Sequence, residues 1–152
     1  MAEFNYKIMH QILSCNYNLK KWGISDSDKC DVCYQKHDIL HLVFTCVHSQ
    51  KIWHLIQNLF DIDLNETNVI MGTYLGKIHN FIITVISFTI YKEWIICRDA
   101  GILRRDFNTR QFFINELYFK IKIYNSINTI DLSDIVNVLE TIMYSLESTN
   151  HF

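Results

Sequence analysis

Cys30-Asp31-Val32-Cys33, followed by His41-Leu42-Val43-Phe44-Thr45-Cys46, places everything else in this chain. The spacing is C-x2-C-x7-H-x4-C. Two thiols about a turn apart form one pincer, and an imidazole and a third thiol five positions apart form the other. Together they supply the four soft-to-borderline donors that a tetrahedral structural Zn2+ requires. A metal with four protein ligands has no open position for water, so the pattern predicts a site that holds a fold and presents a surface. Residues 23–37 contain almost nothing apolar that could hold them otherwise. Structural zinc contributes about 10–16 kcal/mol of apparent binding free energy in small peptides, far more than such a loop can bury. Chelation is therefore expected to melt residues 19–60 first.

Other histidines lie close by. His37 would give C-x3-H-x8-C, and His48 follows just after Cys46, so neither pairs with the last thiol as compactly as His41 does. His37, His48 and His54 read as surface residues or as supports for the ligands. A [2Fe-2S] cluster or a catalytic zinc is the chemical alternative, but no further thiol or carboxylate stands at ligand spacing. Cys15 and Cys97 read as small buried hydrophobes. With three of five cysteines in one 17-residue window beside a histidine, the pattern fits metal binding in a reducing compartment, nucleus or cytoplasm, better than a disulfide framework.

Away from this segment the chain has the composition of a globular protein: 152 residues, 49% hydrophobic and 14% aromatic. The net charge of -2 argues against a generally basic coat for nucleic acid, but the charge is unevenly placed. Residues 98–122 hold six Lys/Arg against three acids, whereas residues 123–152 hold four acids and no Lys or Arg. Met1–Ser14 lacks the unbroken apolar stretch of a secretory leader. The most apolar run, Phe81–Tyr91, is interrupted by Lys92-Glu93. It is shorter than the roughly 20 residues that span a bilayer, so it reads as a buried core helix with no membrane partner.

Proline is absent and there are four glycines, and the apolar spacing is mostly helical, so the expected fold is all-α. A small helical, zinc-knuckle-like module over 1–60 would be followed by an apolar helical bundle over 61–152, with Asp61–Asn65 as the boundary. The spacing predicts helices over about 3–14, a turn at 19–22 ended by Gly23, a short helix over 39–45 capped by Asp38, and a helix capped by Ser49. In that helix Ile52, Trp53, Ile56, Leu59 and Phe60 form a stripe facing the metal. Further helices are expected near 66–71, 77–101, 109–124 and 133–147.

From Asn18 through Trp53 the sequence resembles the zinc-binding segment of LINE-type non-LTR retrotransposon reverse transcriptases. Leu19, Trp22, Ser27, Cys30, Cys33, His41, Leu42, Phe44, Cys46 and Trp53 occupy that segment's positions. Tyr34 stands where the family often has Gly, Val47 where it often has Pro, and His37-Asp38 where an acidic residue and Thr or Ser are common. These departures touch turn geometry and remove no ligand. The resemblance implies a module that helps a parent polymerase grip template RNA or target DNA. The polymerase's aromatic-x-Asp-Asp motif has no counterpart here, since the chain contains no Asp-Asp pair, and an associated nuclease's Pro-Asp is excluded by the lack of proline. No nucleophile and base stand in triad-like roles around His79, Glu93 or Asp99, which leaves no hydrolase reading and no small-molecule substrate.

The expectation is thus a non-catalytic chain with Cys30, Cys33, His41 and Cys46 as zinc ligands and nucleic acid, RNA or DNA, as partner. Phosphate contacts would come from Lys20, Lys21, Lys29, Lys36 and Lys51 near the metal and from Arg104, Arg105 and Arg110 beyond it, with Tyr34 as a stacking platform. Trp22 is a second possible platform, although Trp22 and Trp53 fit core packing around the metal better. The other class of function is a zinc-stapled helical module that docks on the parent polymerase or another protein.

Overall fold

The computed structural model describes residues 2–60, 64–74, 76–127 and 131–149. Its helices are α1 (Ala2–Met9), α2 (Asn16–Lys21), α3 (Val47–Phe60), α4 (Glu66–Met71), α5 (Lys77–Ala100), α6 (Thr109–Ile127) and α7 (Ser133–Thr149). A π-helical turn covers His41–Thr45 and a 3-10 turn covers Arg104–Asp106. No strand occurs among the described residues, and the single antiparallel bridge is Lys29 with Lys36. The fold is all-α, as the apolar spacing predicts.

The helix ends follow local chemistry. Gly23 and Gly101 sit at φ 73° and 66°, and each follows a helix whose last carbonyls are closed in the Schellman pattern. Ile24 N donates to Leu19 O at 2.8 Å and Ile102 N to Cys97 O at 2.8 Å. Asn65 caps α4, its side chain accepting from Asn68 N at 2.9 Å. Two ends differ from expectation. Helix α1 stops at Met9 because Gln11 adopts φ 54°, with Ile12 N donating to Lys7 O. The same closure made by Gln leaves no glycine signal to read. Helix α3 begins at Val47, so Ser49 lies inside it and donates to Leu42 O at 2.6 Å instead of capping.

The chain divides into two compact units, Met1–Phe107 and Asn108–Phe152. The expected zinc module, 1–60, lies within the first together with α4 and α5. Of the expected boundary, residues 61–63 lie outside the described residues, as do the Leu59 and Phe60 side chains.

Helix α5 is the spine of the first unit. Ile82, Ile83, Val85, Ile86 and Ile90 are all at most 2% exposed. By length and composition it could cross a bilayer, but more than half of its most apolar window is already buried. Phe4 of α1 packs edge-on against Phe88 at 5.1 Å, and Asn5 donates to Thr84 at 3.1 Å. The π-turn packs against α3, α4 and α5. In the second unit α6 and α7 pack against each other, and Phe113, Ile114, Leu117 and Ile121 of α6 and Leu139 of α7 are nearly inaccessible. Tyr118 Oη donates to Glu140 across that pair at 2.8 Å.

Candidate metal centre

Residues 28–37 form a knuckle built from its own backbone. Cys30 N donates to Gln35 O at 2.8 Å, Tyr34 N to Cys30 O at 3.0 Å, and His37 N to Asp28 O at 2.8 Å. Cys30 and Cys33 are thereby held on one tight turn, and Val32 N points at Cys30 Sγ, 3.4 Å away. Tyr34 closes the turn at φ 60°, a left-handed conformation that costs a residue with a Cβ about 1–2 kcal/mol. The resembling segment often has glycine at this position, which carries no such penalty.

The second pincer explains the π-turn. At 3.6 residues per turn an α-helix would set residues five apart about 140° round the axis from each other. Here Cys46 N donates to His41 O at 2.9 Å, an i to i+5 bond that brings both ligands to one side. Asp38 starts this turn as expected, its carboxylate accepting from His41 N at 2.9 Å. The break at Cys46 leaves carbonyls without helical partners, and α3 supplies the donors. Ser49 Oγ donates to Leu42 O, Gln50 Nε2 to Phe44 O at 2.7 Å and Trp53 Nε1 to Val43 O at 2.7 Å.

The ligand atoms of Cys30, Cys33, His41 and Cys46 all lie within 4.8 Å of one another. Cys30 Sγ and Cys46 Sγ are 3.8 Å apart, and Cys33 Sγ and His41 Nε2 are 3.2 Å apart. Two sulfurs bound about 2.3 Å from a tetrahedral ion stand about 3.8 Å from each other, so the thiol pair already has the edge length that Zn2+ needs. The residues fit the metal. With Nε2 turned to the cluster, His41 Nδ1–H donates to Thr45 Oγ1 at 3.3 Å, which sets the tautomer that a zinc ligand requires. The Cys30–Cys46 hydrogen bond pushes Cys30 up to about 11 and Cys46 down to about 7, so the close pair shares a proton that metal binding would displace. Cys33 and His41 border an open cleft of about 490 Å³, lined also by Lys36, Asp38, Thr45 and Glu66.

His37 and His48 are both buried, while His54 is exposed. His37 Nδ1 accepts from Asn16 N at 3.1 Å, and its ring lies 5.3 Å from that of Trp94 on α5. Burial pushes it down to about 3, aided by the charge of Arg104, so it stays neutral. His48 Nε2 lies 2.7 Å from Glu93 Oε1. Cys15 and Cys97 are buried, as expected. Thr45, Glu93 and Asn16 had escaped sequence reasoning as parts of this site. The i, i+4 relation of Thr45 to His41 is the one signal that could have revealed any of them.

The other candidate residues separate cleanly. Lys20, Lys21, Lys29, Lys36, Lys51, Arg105 and Arg110 are exposed, and Tyr34 is 75% exposed. Lys29 and Lys36 are brought side by side by the knuckle bridge. Lys36 also lies 3.9 Å over the Tyr17 ring, and Lys20 pairs with Asp28 at 3.4 Å. Arg104 must be removed from the set. It is 0% exposed and ion-paired with Glu93 at 3.3 Å, and a guanidinium sealed in the core meets no phosphate. Trp53 is core, as expected, but Trp22 is 49% exposed at the end of α2. Burial of Trp22 was the wrong expectation, because Gly23 turns the chain away before the ring is covered.

Residues 1–53 of this chain match the family described as zinc-binding in reverse transcriptase. The match contains all four ligands, and the cluster has the Cys3His composition of a zinc site. Comparison with curated proteins and with solved structures finds no match.

Proposed function

We propose that this chain is a non-catalytic, zinc-stabilised module that contacts nucleic acid, related to the C-terminal part of a LINE-type reverse transcriptase and acting beside a polymerase carried elsewhere. The observation that carries this reading is the set of exposed Lys20, Lys21, Lys29, Lys36 and Tyr34, carried by α2 and by the knuckle that also holds Cys30 and Cys33, with Lys29 and Lys36 paired across the knuckle bridge. Zinc holds the knuckle, the knuckle spaces the cations, and Tyr34 and the half-exposed Trp22 offer stacking faces for unpaired bases. Four ligands leave no open metal position, and the chain holds no Asp-Asp pair, which supports a non-catalytic role. The natural setting is intracellular, where thiols stay reduced.

Fluorescence anisotropy of the zinc-loaded chain with single-stranded RNA and DNA, from about 50 to 200 mM salt, tests this. Micromolar or tighter binding that weakens with salt is expected. Lys29→Ala together with Lys36→Ala should lower the log–log salt slope by about 1.4, since each phosphate contact contributes about 0.7 on a single strand. Absence of salt-sensitive binding at micromolar concentration sinks the reading. One observation favours the alternative of protein docking: Phe119, Ile123, Ile127 and Tyr144 are all more than half exposed in the second unit. Self-association or polymerase binding that disappears in Phe119→Lys, with nucleic-acid binding absent throughout, would establish that alternative.

A further inference from the structure

Behind the metal cluster lies a buried charged group that no part of the matched segment predicts. Glu93 of α5 is 1% exposed and bridges two basic side chains, with Arg104 Nη2 at 3.3 Å from Oε2 and His48 Nε2 at 2.7 Å from Oε1. Each end of this group is tied to a different pincer. His48 stands two residues after Cys46. Arg104 N approaches Asp31 Oδ2 at 3.5 Å, and Asp31 Oδ1 lies 3.9 Å from Cys30 Sγ. Arg104 itself is fully buried, and its Nε and Nη1 hydrogens find no acceptor among the described residues. A sealed guanidinium with one carboxylate neighbour and two unmatched N–H groups needs more negative charge nearby.

The metal site supplies that charge. A divalent ion with three thiolates and a neutral imidazole carries one net negative charge, which is expensive inside a protein unless balanced. We propose that Arg104, anchored by Glu93, is a positioning residue of the zinc centre whose buried positive charge balances the tri-thiolate site and raises its affinity for the ion. The ligands lie within residues 1–53, whereas Glu93 and Arg104 lie 40 and more residues beyond it, so the centre is completed by the 3-10 turn and α5. This inference rests on zinc binding alone and is indifferent to whether the chain binds nucleic acid.

The experiment compares zinc affinity of the full chain, by chelator competition at one pH, in wild type, Arg104→Met, Arg104→Lys and Glu93→Gln. Arg104→Met removes the charge and keeps the bulk, and is expected to weaken zinc binding about 10- to 100-fold, the range for partners of metal ligands. Arg104→Lys should recover most of that loss. Glu93→Gln removes the opposing charge and should leave affinity unchanged or tighter, a direction that a purely structural role for the ion pair does not give. Affinity of Arg104→Met within threefold of wild type, or equal weakening in Arg104→Met and Glu93→Gln, overturns the proposal. If Arg104→Met fails to fold, the Glu93→Gln result decides: unchanged or tighter binding supports it and weakening overturns it.

Discussion

The knuckle and helix α5 belong to one compact unit but are held together by different physics. The knuckle, residues 28–37, has backbone bonds, an exposed Tyr34 at a left-handed φ and two metal ligands, and it buries little beyond Cys30 and His37. Helix α5 buries a continuous set of branched side chains and is polar inside mainly at Ser87, Thr89 and Glu93. Hydrophobic burial stabilises in proportion to area, so it holds a helix of 24 residues and cannot hold a polar loop of ten. The loop instead draws its stability from two ligand bonds to a metal that His41 and Cys46 hold from outside it. The comparison teaches that loss of one atom should undo the knuckle, whereas α5 should fail gradually, side chain by side chain.

The sharpest way to break the contrast is to remove the metal. Chelation, or Cys46→Ala, is expected to abolish hydrogen-exchange protection across the knuckle and the π-turn while amides in the middle of α5 remain protected. Uniform loss along both would erase the distinction. Next in size is the core of the helix. Ile86→Ala, at a fully buried site, should destabilise the zinc-loaded chain by about 2–5 kcal/mol in urea titration while leaving one zinc per chain. A smaller effect is expected from Trp53→Phe, which keeps an aromatic ring and orphans Val43 O, costing about 1–3 kcal/mol. Because that carbonyl belongs to the π-turn, zinc affinity should fall with stability, unlike in Ile86→Ala. Smallest is Tyr34→Gly, which relieves the left-handed strain and should stabilise the loaded knuckle by about 1 kcal/mol, less the added freedom of glycine in the unfolded chain. A measured loss of stability would mean that the Tyr34 ring makes a contact outweighing its backbone strain.

Much of this organisation was legible residue by residue. Helices α4 and α5 begin and end within a residue of expectation because Asn65 and Gly101 are strong local signals. The ligand set was legible because coordination chemistry restricts both residue type and spacing. Elements whose cause is distant were not legible. Ile12 continues the apolar spacing of α1 yet lies beyond its end, because Gln11 turns left-handed without a glycine to announce it. His41–Thr45 reads as an ordinary helix, and the π register comes from ligands meeting on one side and from Ser49, Gln50 and Trp53 serving the displaced carbonyls.

Arg104 marks the limit most clearly. In the sequence it is one of a basic run with Arg105 and Arg110, indistinguishable from them as a phosphate contact. In the fold Arg105 and Arg110 remain exposed while Arg104 is sealed against Glu93. The sequence by itself determined the all-α class, the four metal ligands and the positions of the principal helices, because capping, periodicity and coordination act over a few residues. Only the tertiary structure decided which charges face water, which histidines are buried and which distant side chains pair in the core. Burial and charge pairing depend on what the rest of the chain places alongside, and neither is a property of local spacing.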